Sequence, residues 1–207
     1  MSEAWGRGDA EAFRNQADKT TRMLIVVMVA VFGTLILLSQ ILVLLVWGDQ
    51  YARAADLLPV LLTAVLATTL AVPSVNSLTS RAQAGMVTAT LIGLVGMTLG
   101  FGAWALLAPG WGVTGVAIGY LVGTLTIAGT AVTVSWRRER HRWKGPFFRL
   151  ACVAATCAGL FVAERLCDLP PAYDFVFAAL FMCAWVLLMH SDIRRLGQAE
   201  RARRRIR

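Results

Sequence analysis

Residues 23–47 read MLIVVMVAVFGTLILLSQILVLLVW, a run of 25 residues without one charge. A helix needs about 20 mainly apolar residues to cross the hydrocarbon of a bilayer. This block exceeds that length, and in lipid its backbone groups can be satisfied only within a helix or a closed barrel. Five further blocks follow: Leu57–Leu78, Met86–Ala108, Gly112–Trp136, Phe147–Cys167 and Tyr173–His190. None shows the period-2 alternation of a half-buried strand, and all are too long for one. The pattern predicts an all-α polytopic membrane protein with six transmembrane helices. Residues 1–22 form a hydrophilic N-terminal segment, residues 23–190 the six-helix domain, and residues 191–207 a basic tail.

Composition agrees. The 207 residues are 57% hydrophobic and 15% charged, with a mean hydropathy of +0.64. Soluble domains average about 25% charged residues, so a water-soluble enzyme with a single core is excluded, as is a disordered chain. The first apolar block is longer than the roughly 7–15 residues of a signal-peptide core. Glu3, Asp9, Glu11 and Asp18 precede it. The reading is therefore no cleavable leader, with the first helix itself directing insertion.

The net charge of +8 raises nucleic-acid binding, but the cations sit in loops and tails rather than on one face of a folded domain. Their placement reads as topology. With a cytoplasmic N-terminus, segments 1–22, 79–85, 137–146 and 191–207 are inside and hold 17 of the 20 Lys and Arg. The outside loops 48–56, 109–111 and 168–172 hold only Arg53. That asymmetry is the positive-inside signature and predicts N-in, C-in, with short outer loops and no nucleic-acid partner. The Arg-rich tail fits membrane lipids as partners, or simply fixes orientation.

Few residues invite chemistry. Cys152, Cys157, Cys167 and Cys183 form no C-x-x-C pair, so no zinc or thiol-redox site is expected, and no metal or cofactor. Neither a P-loop nor H-E-x-x-H occurs. His141 and His190 lie at boundaries, leaving no partner for a serine nucleophile. No catalytic residue is expected. Glycine instead concentrates in the middle pair. Gly96 and Gly100 make one G-x-x-x-G; Gly115, Gly119 and Gly123 make a double one. Four-residue spacing puts each set on one helix face, where a second backbone can approach. These five are the candidate helix-packing residues, for static packing or for a sliding interface.

Pro73 marks a kink or the end of the second helix, and Asn76 behind it is a candidate to hydrogen-bond a substrate or, by preference, a neighbouring helix, since the groups freed by the proline need partners. Glu164 and Arg165 are adjacent opposite charges one turn from the outer end of the fifth segment. Charges at that depth can snorkel to the interface. On that reading no buried acid remains to couple cation entry to drug export. Arg149 and His190 read as inner-boundary anchors, and Trp47, Trp104, Trp111, Trp136 and Trp143 as an aromatic belt.

The order of features resembles a known group. Met1-Ser2-Glu3-Ala4-Trp5-Gly6-Arg7-Gly8-Asp9 precedes helix one and Gly48-Asp49-Gln50-Tyr51-Ala52-Arg53-Ala54 follows it. Pro73-Ser74-Val75-Asn76-Ser77-Leu78 and Arg81-Ala82-Gln83-Ala84-Gly85 flank the next turn. Ala108-Pro109-Gly110-Trp111-Gly112-Val113-Thr114-Gly115-Val116-Ala117 opens helix four. Across residues 1 to about 136 this resembles the C-terminal half of polysaccharide and lipid-linked oligosaccharide flippases, in the multidrug/oligosaccharidyl-lipid/polysaccharide exporter superfamily. Residues 147–190 fit as two trailing helices. Members have about twelve to fourteen helices in two lobes with alternating access, so the resemblance implies the last six helices of such a flippase, truncated or split. It implies a transporter of the bacterial plasma membrane, in cell-envelope polysaccharide or lipopolysaccharide biosynthesis, with lipid-linked oligosaccharide as partner. A second lobe or a homo-oligomer would complete it. No substrate-binding residue carries over. The competing expectation is a non-transporting membrane scaffold or assembly protein, or an inactive remnant.

Overall fold

The computed structural model describes residues 10–80, 82–139, 143–166 and 173–204, with the side chains of residues 10–14, 82, 139 and 195–204 outside the description. The motif at residues 1–9, Arg81, His141, Cys167 and the loop 168–172 also lie outside the described residues. The described chain is helical throughout, without strands. Seven α-helices follow in order: α1 (Ala10–Leu37), α2 (Ser39–Trp47), α3 (Ala54–Thr79), α4 (Ala82–Trp111), α5 (Val113–Glu139), α6 (Lys144–Leu166) and α7 (Asp174–Arg204). Six of the helices are long and apolar enough to cross a membrane. Large apolar side chains face outward along them, among them Met86, Leu94, Phe101, Leu125, Val162 and Leu180. A soluble protein does not expose apolar surface on this scale; hydrocarbon accepts it. This is a multi-pass membrane protein.

The helices outrun the apolar blocks. α1 starts at Ala10, well before Met23, and α7 continues past His190 to Arg204. At 1.5 Å per residue the 31 residues of α7 span roughly 46 Å, longer than the ~30 Å hydrocarbon. The block 23–47, expected as one helix, divides at Leu38 (φ −90°, ψ 8°). Leu38 N–H still donates to Thr34 O and Leu42 N–H to Leu38 O, so the ladder bends rather than ends. Pro73 neither ends nor begins a helix: α3 runs through both Pro59 and Pro73 to Thr79.

Two turns depend on glycine. Gly48 has φ +83° after α2, where a 3-10 turn (Asp49–Tyr51) follows. Gly112 has φ +55° and is the single residue between α4 and α5. A left-handed residue just past a helix end satisfies the last carbonyls, and here Gly112 N–H donates to Ala108 O at 2.9 Å.

The chain forms two compact units. Of the described residues, those within 1–21 and 56–143 form unit 1 and those within 22–55 and 144–207 form unit 2. In unit 1, Leu78, Ile92 and Ala131 are buried together, with Val75, Ile127 and Val134 packed around them. In unit 2, α6 and α7 pair. Phe181 of α7 is fully buried against Gly33 of α1. Trp185 Nε1 donates to Val26 O at 3.1 Å.

Candidate functional site

In unit 1 the helices α4 and α5 run antiparallel through the tight turn at Gly112, and five glycines line their contact. The Cβ position of Gly119 lies 2.8 Å from the backbone N and Cβ of Trp104, and 2.9 Å from the Gly100 carbonyl. That of Gly100 lies 3.0 Å from Gly123 Cα. That of Gly123 lies 3.1 Å from Gly96 O, and that of Gly115 lies 2.6 Å from the Leu107 carbonyl. Gly96 itself sits against Ile127 and Gly123. Backbone meets backbone here, the approach that Cα–H···O contacts and small-residue packing in membranes require.

Beside this seam opens a groove of about 400 Å³. Met97, Phe101 and Trp104 wall it from α4, and Val116, Tyr120 and Thr124 from α5. The Phe101 and Trp104 rings lie 5.6 Å apart. Thr124 Oγ1 is turned back to the Tyr120 and Leu121 carbonyls, so the lining is mostly carbon. Such a surface suits hydrocarbon and offers nothing to hold a charged substrate.

Among the described residues, the buried acids lie in unit 2. Glu164 and Arg165 do not snorkel together: Arg165 is exposed and lies 5.3 Å over the Phe161 ring, while Glu164 turns inward with 6% exposure. Adjacent residues on a helix point about 100° apart, and the rotation of α6 puts Arg165 outside and Glu164 inside. Asp174, the first residue of α7, is 2% exposed. The two carboxyls are near enough to interact electrostatically, and Arg165 acts on both. Glu164 Oε2 and Asp174 Oδ2 are buried without a hydrogen-bond partner, although the Asp174 carboxyl also meets backbone groups of Asp174 itself and Ile41. Two neighbouring buried carboxylates cannot both be ionised cheaply; Arg165 offsets part of the repulsion, and a shared proton or a bound cation would offset the rest.

A second cluster occupies another part of unit 2. Asp192 of α7 is 2% exposed and pairs with Arg149 of α6 and with Arg22 of α1, the latter at 3.2 Å. Arg149, read from sequence as a boundary anchor, is thus held by an interhelical ion pair.

Comparison with protein-family models, with curated proteins and with solved structures gives no match.

Of the other sequence candidates, Asn76 is exposed, and the buried polar side chains near Pro73 are Ser74 and Ser77. Trp143 is 2% exposed and Trp104 packs on Gly119, so neither is purely an interfacial anchor. No group of three or more His, Cys, Asp or Glu suited to a metal ion occurs among the described residues. Asp174 and Asp192 escaped the sequence reading. A signal existed for each, an acid at the edge of an apolar segment and an acid in an otherwise Arg-rich tail, but neither pattern names a partner.

Proposed function

We propose that this chain is one helical lobe of a flippase-like transporter that moves lipid-linked sugars outward across a bacterial plasma membrane, with both ends of the chain cytoplasmic. The observation that carries the transport reading is the buried Glu164–Asp174 pair with unpartnered oxygens. Ionisable groups inside a membrane bundle are costly and are kept where ions or protons move. The sugar-lipid part rests on the order of the sequence motifs. The apolar groove along the α4–α5 seam is compatible with a polyprenyl or acyl chain lying there. Alternating access needs a second bundle to rock against, so the lobe works with a partner lobe or a second copy. The same carboxyl pair removes the sequence-based objection to a cation-coupled drug exporter, which stands as the second reading.

The test is outward movement of a fluorescent polyprenyl-diphosphate sugar in proteoliposomes, read by quencher accessibility, with and without a proton or sodium gradient. Movement above protein-free vesicles that responds to the gradient and falls at least about tenfold in E164Q/D174N supports the proposal. Movement of a cationic dye instead, with the same dependence, selects the exporter. A folded protein that moves neither rules out transport by this chain alone or as a homo-oligomer, and leaves a separately encoded partner lobe or the scaffold reading.

A further inference from the structure

The Arg22–Asp192–Arg149 cluster takes no part in the proposal above, and its chemistry points to a ligand. Asp192 is almost fully buried, whereas its partners keep 22% (Arg22) and 30% (Arg149) of their side chains exposed. Each guanidinium engages the carboxylate through one nitrogen, NH1, and one carboxylate oxygen each. Among the described residues neither arginine has another hydrogen bond or ion pair. The carboxylate therefore acts as a backstop. It fixes two guanidiniums side by side and leaves their remaining N–H groups to the outside.

Within the triad two cations face one anion, a surplus of +1, with Asp18 one turn before Arg22 on α1 as the next acid along that helix. Arg194 and His190, each two residues from Asp192, are exposed about 200° round the helix from it, on the opposite face. One further monoanion in front of the arginines would neutralise the triad. Paired guanidiniums suit a phosphate diester, whose two non-bridging oxygens can take the fork of one guanidinium and still accept from the second. At the membrane edge that anion is carried by phospholipid. The cluster joins the start of α6 to the C-terminal part of α7, and anionic headgroups collect beside cations at the membrane surface.

We infer that Arg22 and Arg149, held by buried Asp192, form a binding site for the phosphate of an anionic phospholipid headgroup. The site clamps α1, α6 and α7 to the membrane surface. The inference is independent of what the protein transports and survives if nothing is transported.

The experiment is native mass spectrometry of the delipidated full chain in detergent, titrated with phosphatidylglycerol or with diacylglycerol of the same acyl composition. The expected result is one tightly retained phosphatidylglycerol, no comparable diacylglycerol, and displacement by millimolar inorganic phosphate that shows the phosphate to be the recognised group. R149Q should weaken that one lipid by about tenfold or more, the loss of a charge-assisted hydrogen bond. Because R149Q leaves Asp192 half-paired and could unfold the chain, R149Q/D192N is measured alongside. It keeps the net charge and removes the buried acid, yet breaks the clamp, so it should show the same weakening. Equal phosphatidylglycerol affinity in wild type and a folded R149Q/D192N overturns the inference, as does equal retention of diacylglycerol. Binding of inorganic phosphate with no retention of the lipid overturns the assignment to a headgroup.

Discussion

Adding one methyl group at Gly119 tests the α4–α5 seam most directly. In Gly119→Ala the new Cβ would stand 2.8 Å from Trp104 N and Cβ and 2.9 Å from the Gly100 carbonyl oxygen. Ordinary contacts lie at 3.4–4 Å. Backbone atoms cannot swing aside, so the helices must part by roughly 0.6 Å or more at this level. A gap of that order forfeits a quarter to a half of each local dispersion contact, and Gly96, Gly100 and Gly123 share the seam. Overpacking of this kind costs about 1–3 kcal/mol, roughly a 5- to 150-fold change in the folding equilibrium. Gly102→Ala and Gly129→Ala are matched controls, since nothing lies within 4 Å of either Cβ position. They add the same methyl on the same two helices and should hold stability or raise it by up to about 1 kcal/mol through helix propensity. Reversible unfolding in mixed SDS and dodecylmaltoside micelles, followed by circular dichroism, reads all three. If Gly119→Ala unfolds at the same SDS fraction as Gly102→Ala, the seam does not hold the pair together and the packing argument fails.

Three further outcomes are expected of this fold. A Cβ at Gly33 would overlap the Phe181 ring, which is fully buried; Gly33→Ala should therefore destabilise unit 2 by about 1–3 kcal/mol, and adding Phe181→Leu should recover part of that loss in a double-mutant cycle, whereas strict additivity would deny the contact. Gly112→Ala places a side chain at φ +55° and should cost about 1–2 kcal/mol with no change in helix content by circular dichroism; an unchanged unfolding midpoint would show that the turn has relaxed elsewhere. In a cysteine-free background, Gln50→Cys should react with a membrane-impermeant maleimide on intact cells and Arg194→Cys only after permeabilisation, both positions being exposed. The opposite pattern would reverse the orientation drawn from the Lys and Arg distribution.

The carboxyl pair shows where sequence reading stops. Glu164-Arg165 reads as two snorkelling charges because local depth and side-chain length are all that a linear pattern supplies. Which of the two turns inward depends on the rotation of α6 about its axis, and that is set by what it packs against. Asp192 illustrates the same limit. Its neighbours in sequence are a serine and an isoleucine, while its partners lie 43 and 170 positions away. The glycines were legible as a face because a four-residue period is local. That α4 and α5 meet on those faces is a tertiary fact.

The sequence alone determined the number and helical nature of the membrane-spanning segments. Backbone polar groups in hydrocarbon have no solvent to turn to, so a long apolar run without alternation has one solution, and its length is measured by the bilayer. It also determined where the cations cluster, and so the orientation we propose. Only the tertiary structure decided how each helix is turned. Helices that are apolar on every side present no hydrophobic stripe to choose a partner by, so contacts follow from shape: backbone against backbone at Gly100 and Gly119, a ring against Gly33, and buried acids placed where neighbouring helices shield them.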